Sequence, residues 1–396
     1  MKVYHQTGFR YNWNIESFGD DIGDGLIFSP VNIDAKKLEK EISIDIKKES
    51  FFDPQIYLPK NPKSQLYTYP YFPTNIKSEF ETQDFDAEKY KIAQQCMEFQ
   101  LNNEFEYIVI PSRYTESIPH TDYIKSISND FIIPFLETYK QSKKDKKVLV
   151  TLIMNESFIK NDSYRNEILS WVTSQDLNGV YLIFDYNSDS KQIKDAIFLS
   201  NAMQFINELK ENEFEVHIGY NNTEGLLYSL ANPNSISVGS YENLRNFQIR
   251  RFQENEGGKP PSPRLYSSEL LQWIEFRYIE TLPGLFPNWK NLFMPSEKYL
   301  DIIFKYLNED YDKKSQPHFQ KKEPYMYYFE VFYKQIKDLP DDITKRIDWV
   351  CNLCNKAIEE YKNITNAKIR LDDNSDGSHL PHWQNAITLY LKAKGG

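Results

Sequence analysis

Cysteine is scarce in this chain, and its scarcity bears on the cellular compartment. The 396 residues include three cysteines, Cys96, Cys351 and Cys354. So few, and an odd number of them, cannot supply the disulfide framework that is typical of small secreted domains. Residues 1–6 also lack the apolar segment of a secretory signal. The sequence therefore predicts a protein of a reducing compartment, by default the cytoplasm.

Positive charge is in deficit, and long apolar runs are missing. Lysine and arginine number 47 against 57 aspartates and glutamates, which gives a formal net charge of -10. Such a chain has no general attraction for phosphate backbones, which counts against a nucleic-acid partner. The longest apolar run, at 148–154, is far shorter than the roughly 20 residues of a membrane-spanning helix. We therefore expect no membrane partner either.

Aromatic residues, by contrast, are plentiful. The chain has 28 Tyr and 26 Phe, and aromatics make up 15% of its residues. These side chains bury large areas, so a substantial aromatic core can form. Because single cores stop growing at roughly 250–300 residues, a chain of this length favours two structural units.

Short apolar runs alternate with helical patterns through residues 1–290. The runs that indicate strands are 26–29, 51–57, 107–112, 148–154, 180–185, 215–219, 236–239 and 264–267. The helical patterns between and after them are 34–46, 86–103, 121–141, 162–174, 190–211, 223–231, 241–253 and 268–279. Eight such units with near-continuous apolar strands predict a parallel sheet closed into a (β/α)8 TIM-type barrel. The alternative is an open doubly wound sheet, but the G-x-G-x-x-G turn of its dinucleotide-binding form is missing, and no cofactor is predicted.

The remainder, 291–396, predicts helices without strands. They lie at 296–309, 323–337, 341–363 and 382–393. Cys351-x-x-Cys354 and His379-x-x-His382 have the pairing of a zinc site. Both cysteines, however, fall within one continuous amphipathic helix, at a spacing that also suits small buried hydrophobic residues. We therefore expect a helical C-terminal region and no metal.

In a barrel of this type, functional residues follow the C-terminal ends of the strands. That rule selects three catalytic candidates, Glu156, Asp185 and Glu242. The candidates for substrate binding are Asp53, Gln55, Arg113, Asn155, Asn221 and Tyr241. The alternative is that these carboxylates and amides cap the helices that follow.

Glu156 and Glu242 together resemble the catalytic pair of the retaining barrel glycosidases. In that superfamily an Asn-Glu pair at the end of strand four holds the acid/base, and a Glu at the end of strand seven is the nucleophile. Asn155-Glu156 follows the fourth predicted run, and Glu242 follows the seventh. The resemblance implies two carboxylates that face each other across the barrel mouth.

A second resemblance is to the barrel transglycosylases that exchange a guanine base in tRNA, which use aspartates at the strand mouths. It implies that Asp53 and Asp185 act as nucleophile and base-reading group. The arginines that could meet phosphate are Arg113, Arg245, Arg250 and Arg251. The zinc motif that many of these enzymes carry beyond the barrel is not recognisable here, and the acidic net charge counts against a tRNA substrate.

Two smaller features complete the candidates. Gly239-Ser240 and the glycines and lysine at 257–259 could offer backbone N–H groups and a cation to a phosphate. His217, in the sixth run, is more typical of a core histidine with satisfied hydrogen bonds than of a catalyst.

The sequence thus predicts an enzyme that cleaves or transfers a glycosidic or N-glycosidic bond of a sugar- or nucleoside-like molecule. The rival hypothesis is a catalytically silent barrel, a recognition or scaffold subunit of a bacterial, defence-related assembly. Its C-terminal helices would then form the interface with a protein partner. Carboxylates that converge in a pocket favour the enzyme, and carboxylates turned outward as helix caps favour the scaffold.

Overall fold

Eight parallel strands form the central sheet in the computed structural model of the chain. The structure describes residues 1–115, 119–142, 145–187, 191–253, 262–308 and 322–395. The strands are β1 (Lys2–Gln6), β2 (Leu26–Phe28), β3 (Phe51–Phe52), β4 (Ile108–Ile110), β5 (Val148–Asn155), β6 (Gly179–Asp185), β7 (Glu215–Gly219) and β8 (Ser235–Gly239). Their order is β3-β2-β1-β8-β7-β6-β5-β4. The edge strands approach each other where the Glu106 N–H donates to the Ser50 carbonyl at 2.8 Å, so the sheet is a nearly closed barrel, which confirms the prediction.

Helices alternate with the strands and cover the outer face of the barrel. They are α1 (Tyr11–Gly19), α2 (Ala35–Glu41), α3 (Ile44–Lys48), α4 (Pro73–Ile76), α5 (Phe85–Asn102), α6 (His120–Ile127), α7 (Ile133–Ser142), α8 (Glu156–Lys160), α9 (Asp162–Thr173), α10 (Ala196–Glu211), α11 (Gly225–Tyr228) and α12 (Glu242–Arg245). Both faces of β5 and β6 are buried, because one faces the interior and the other faces this helical layer.

The count of eight barrel strands was correct, but two of the assignments were wrong. Residues 264–267 form β9 (Arg264–Ser267), which pairs with β10 (Gln272–Glu275) in an antiparallel hairpin outside the barrel. The missed strand is β1, whose buried polar residues His5 and Gln6 interrupt the apolar pattern. A run as short as 264–267 does not distinguish a barrel strand from a hairpin strand. The predicted fourth and seventh strands are therefore the fifth and eighth of the barrel.

Several predicted boundaries also shift. The strand predicted at 51–57 ends after Phe52, because Pro54 has no N–H to donate and Gln55 has a left-handed φ of 54°. The helix predicted at 190–211 starts at Ala196, where the Asp195 side chain caps it. The helix predicted at 241–253 is reduced to α12 and a short 3-10 turn. The predicted helix 268–279 is replaced by β10 and α13 (Phe276–Leu285), while residues 254–261, before β9, lie outside the described residues.

Aromatic rings fill the middle of the barrel. Phe51 lies 5.1 Å from Tyr4, 6.0 Å from Tyr107 and 5.4 Å from Tyr181, measured between ring centroids. His217 packs against the same rings, and its Nδ1 lies 2.9 Å from Ser235 Oγ. The interior is therefore a packed core, and His217 is the satisfied core histidine that the sequence indicated.

The C-terminal region is helical, as predicted, and packs directly on the barrel. Its helices are α14 (Leu300–Asn308), α15 (Glu323–Lys337), α16 (Ile343–Asn366) and α17 (Leu380–Gly395). α15 packs on α1 and β8, and its Phe329 ring lies 4.7 Å from the His5 ring of β1. α17 packs along α10. None of the helices in the described ranges has the length and apolar composition that a bilayer crossing requires.

Candidate functional site

A cleft of about 330 Å³ opens at the C-terminal ends of β5 and β6. We call it the mouth cleft. Two carboxylates line it, Glu156 and Asp185, together with the rings of Tyr114, Tyr186 and Phe247. Arg250, from the segment that follows β8, completes its rim. The cleft lies where a barrel of this kind concentrates functional groups.

Asp185 reaches this cleft because it is the last residue of β6. It shares strand parity with Tyr181 and Ile183, which belong to the barrel interior. The Tyr114 hydroxyl donates to Asp185 Oδ2 at 2.8 Å. In the β5–β6 register, Asp185 is the partner of Asn155. Glu156, the next residue after Asn155, is therefore on the neighbouring strand end.

Asn155 and Glu156 have different roles: Asn155 caps a helix, and Glu156 lines the mouth cleft. Asn155 caps α8, since its Oδ1 accepts from the Phe158 N–H at 2.9 Å. Glu156, the first residue of that helix, is 44% exposed at its side chain and accepts from Lys160 Nζ at 2.6 Å. Lys160 also pairs with Asp195 at 2.5 Å. One lysine thus bridges the carboxylate of the cleft and a second carboxylate outside it.

Glu242 lies in a different cleft. This second cleft, of about 340 Å³, is lined by Tyr241, Glu242, Arg245 and Trp273, and we call it the arginine cleft. The Glu242 carboxylate forms an ion pair with Lys191. Although burial acts to raise the pKa of Glu242, the charges of Arg245 and Lys191 outweigh it and lower that pKa. Glu156 and Glu242 are therefore not brought into one cleft, but Gln248 lines both, so the clefts are neighbours.

Asp53 and Gln55 meet behind the mouth cleft, sealed from solvent. Asp53 is 0% exposed. Its carboxylate accepts from the Tyr57 hydroxyl at 2.9 Å, from Gln55 Nε2 at 3.2 Å and from the Tyr220 hydroxyl at 3.3 Å. Burial raises the pKa of Asp53 to about 6, against the opposing effect of these hydrogen bonds. The ring of Phe247 covers Tyr57 and Tyr220, at centroid distances of 5.3 and 5.4 Å.

Two residues of this buried cluster hold a left-handed backbone. Gln55 has φ of 54° and Tyr220 has φ of 53°. Their side chains meet, with Gln55 Nε2 donating to the Tyr220 hydroxyl at 3.0 Å and to Ser29 Oγ at 2.7 Å. Non-glycine residues in this region cost energy and persist where the surrounding structure holds them, often at functional sites.

Three other predicted binding residues lie away from the mouth cleft. Arg113 points into the helical layer, where its Nη2 donates to Ser126 Oγ at 2.8 Å and pairs with Asp130 at 3.5 Å. Asn221 is buried, and its Oδ1 accepts from the Ser237 N–H at 2.9 Å. Tyr241 lines the arginine cleft. The nine predicted residues thus lie in two clefts and one buried cluster, apart from Arg113 and Asn221, which have structural positions.

The aromatic residues of the two clefts were missed by the sequence reasoning. Tyr186 directly follows Asp185, and Tyr114 lies four residues after β4, so extending each strand end by a few residues would have found both. Phe247 and Trp273 lie beyond the strand ends of the barrel. No pattern in the sequence links them to the mouth.

No metal cluster is found in the part of the chain that the structure describes: no three or more His, Cys, Asp or Glu residues are grouped to hold an ion. Cys354 is buried on α16, as expected of a small hydrophobic residue. His379 is also buried, packed edge-on against Trp383 at 4.9 Å. The phosphate-binding residues predicted at 257–259 lie outside the described residues.

Comparison with known proteins returned no relatives. No protein-family model, no curated protein and no solved structure matches this chain. The geometry of the two clefts is therefore the basis for a functional proposal.

Proposed function

We propose that this protein is a cytoplasmic barrel enzyme that cleaves or transfers a glycosidic or N-glycosidic bond in the mouth cleft. The observation that carries the proposal is the convergence of Asp185 and Glu156, from neighbouring strand ends, in one cleft with three aromatic rings. Two carboxylates flanking the scissile bond are the minimum apparatus of most glycosidases. A cleft of about 330 Å³ is at the small end of ligand pockets and suits one sugar ring or nucleoside.

Asp185 is the group that acts at the anomeric carbon. The Tyr114 hydroxyl bonds its Oδ2 at 2.8 Å, which favours the charged carboxylate and fixes its orientation. An oriented carboxylate can attack the anomeric carbon or remove a proton from an attacking water.

Glu156 donates a proton to the leaving group. As the carbon–oxygen or carbon–nitrogen bond breaks, the departing atom takes a proton from Glu156, and in hydrolysis the hydroxide of water ends on the anomeric carbon. When Glu156 is protonated, Lys160 keeps Asp195 as a partner. The second ion pair thus leaves the lysine charge paired at that stage of the cycle.

The aromatic residues of the cleft explain why the ligand would be ring-shaped. The rings of Tyr114, Tyr186 and Phe247 line the cleft beside the two carboxylates, and aromatic rings have flat apolar faces. Such faces stack on nucleobases and pack against the apolar faces of sugar rings.

The test combines binding with turnover. Thermal stability of the full chain is measured against sugars, nucleosides, nucleobases and nucleotides, since a ligand of the folded state raises the melting temperature. Product release is then followed for each ligand that binds. We expect Asp185→Asn and Glu156→Gln each to lower the rate by roughly 10²–10⁴-fold, the usual contribution of acid–base groups.

Asp176→Asn is the matched control. Asp176 is an exposed carboxylate just before β6, at the opposite end of the barrel from Asp185, and pairs with Lys140. Its substitution should leave the rate unchanged. If no ligand of the panel stabilises or reacts, or if all three variants behave alike, the enzyme is rejected and the recognition or scaffold role becomes the better account.

A further inference from the structure

Arg245 in the arginine cleft is a buried cation with unfilled hydrogen-bonding capacity. The residue is 5% exposed. Its guanidinium carbon lies 3.8 Å from the centre of the Trp273 ring, and its Nη1 donates to the Ser240 carbonyl at 2.7 Å. Its Nε is buried and has no hydrogen-bond partner. A buried charged group with an unpaired N–H costs free energy unless a further hydrogen-bond partner or counter-ion is present.

The charged residues of the cleft do not supply an ion-pair partner for Arg245. Glu242 is near enough for the Arg245 charge to lower its pKa, but its carboxylate forms its ion pair with Lys191. Arg264, the other arginine of this cleft, donates to the carbonyls of Trp273 and Asn374 and pairs weakly with Asp372 at 3.8 Å. Within the described ranges, no carboxylate lies at ion-pair distance from Arg245.

Three parts of the chain build the arginine cleft. The segment after β8 supplies Arg245, the hairpin supplies Trp273 and α15 supplies Tyr325. The indole of Trp273 donates to Asn222 Oδ1 at 3.3 Å, which fixes the ring beneath Arg245. Tyr325 stacks on Trp13, at 5.5 Å between centroids and 18° between planes. A guanidinium held in this way is already oriented for an oxyanion acceptor.

We propose that the arginine cleft binds the oxyanion of a small ligand, a phosphate or a carboxylate, through Arg245. We further infer that this oxyanion belongs to the substrate whose sugar lies in the mouth cleft, because Gln248 lines both clefts. The anion site stands on its own geometry, whereas its link to a substrate rests on the proposed function. The substrate would then be an acidic glycoside or a phosphorylated nucleoside or sugar.

The first experiment measures binding of inorganic phosphate and of acetate to the full chain by calorimetry, at constant ionic strength. Glu242→Gln removes the negative charge of the cleft and frees Lys191, so it should tighten binding about fivefold. Asn243→Asp adds a negative charge at an exposed position lining the same cleft and should weaken binding by a similar factor. Both changes are nearly isosteric, so the fold should be retained, and circular dichroism checks this.

Opposite responses of these two variants support the proposal, and the anion that binds better identifies the oxyanion. The site is rejected if neither anion binds saturably, or if both variants bind as the parent does. Asp185→Asn, at the mouth cleft, should leave phosphate binding unchanged.

The second experiment separates this inference from the proposed function. Turnover of phosphorylated and unphosphorylated forms of the same nucleoside is compared in the parent and in Asn243→Asp. A preference for the phosphorylated form that Asn243→Asp reduces several-fold, chiefly through KM, supports the link between the clefts. Phosphate binding without any turnover that depends on Asp185 would leave the anion site standing and remove the proposed function.

Discussion

The two ends of the barrel hold carboxyl groups whose pKa values move in opposite directions. At the mouth, burial among neutral hydroxyl and amide groups raises the pKa of Asp53 to about 6. At the N-terminal end, the hydrogen bond with His217 and then the charge of Lys147 lower the pKa of Glu215 to about 2. His217 is itself neutral at neutral pH, because burial lowers its pKa. Glu215 therefore stabilises the fold at neutral pH, whereas Asp53 costs stability there, a cost that is typical of functional ends.

The backbone shows the same contrast. At the N-terminal end, Glu104 and Glu213 are left-handed, with φ of 56° and 64°, but each follows the C-cap of a helix, where this conformation is common. At the mouth, Gln55 and Tyr220 are left-handed outside any cap. The left-handed residues at the N-terminal end are therefore ordinary helix ends. The left-handed residues at the mouth instead belong to a buried polar cluster, whose hydrogen bonds keep them in this conformation.

The largest expected effect comes from removing the aromatic layer that separates the two ends. Phe51→Ala should lower the free energy of unfolding by about 3–5 kcal/mol, because it leaves a cavity among rings that are fully buried. Denaturant unfolding measures this change. Phe9→Ala is the control, since Phe9 is 72% exposed, and it should alter stability by less than about 0.5 kcal/mol. Equal effects of the two substitutions would contradict the packed interior.

A second prediction concerns the pH dependence that Asp53 imposes. Its pKa rises from 3.8 in the unfolded chain to about 6 in the fold, so the folded state holds more protons between these values. The stability that this group contributes is full below pH 3.8 and is lost as the pH rises through 6. Relative to Asp53→Asn, the parent should lose about 2 kcal/mol between pH 4 and pH 8. Unfolding at a series of pH values tests this.

Glu215, at the N-terminal end of the barrel, should give stability the opposite pH dependence, and Glu215→Gln tests this. Stability from Glu215 is present above pH 4.5 and is lost as the pH falls through about 2. The variant should therefore be less stable than the parent at neutral pH, with the gap closing in acid. If the stability difference from the parent changed with pH in the same direction for Asp53→Asn and Glu215→Gln, the contrast between the two ends would be contradicted.

The smallest expected effect tests the two kinds of backbone strain. Glu213→Gly should raise the free energy of unfolding by about 0.5–1 kcal/mol, because glycine adopts the left-handed conformation after a helix without strain. Gln55→Gly relieves the same strain but removes the bonds to Ser29, Asp53 and Tyr220, so it should destabilise. A gain in stability from both would mean that the mouth cluster is not held by Gln55.

The fold was largely predictable, because near-continuous apolar runs such as β5 and β6 indicate strands buried on both faces. β1 was not predicted, because its polar residues are buried by contacts with other parts of the chain. His5, for example, bonds the Ile22 carbonyl through Nε2 at 2.7 Å and packs on Phe329 from the C-terminal region. Contacts between residues so far apart in sequence leave no local pattern.

The candidate site was predictable in part. The strand-end rule led to Asp185 and Glu156, because parallel strands bring their C-terminal ends to one edge. The rule could not separate Glu156 from Glu242, because the division into two clefts depends on side-chain packing around Gln248. No sequence pattern links Arg245 to Trp273, which lies 28 positions further along and packs beneath its guanidinium.

The position of α15 has a consequence for the order in which the chain can fold during synthesis. β1 is synthesised well before the elements that cover it: its neighbour β8 begins at Ser235, and the helix over its outer face begins at Glu323. A nascent chain that ends before residue 337 lacks the complete α15, so apolar surface over β1 and β8 stays uncovered and open to aggregation. We therefore expect chains truncated before α15 to depend on chaperones, and the β1–β8 region of the barrel to be covered only after α15 has been synthesised.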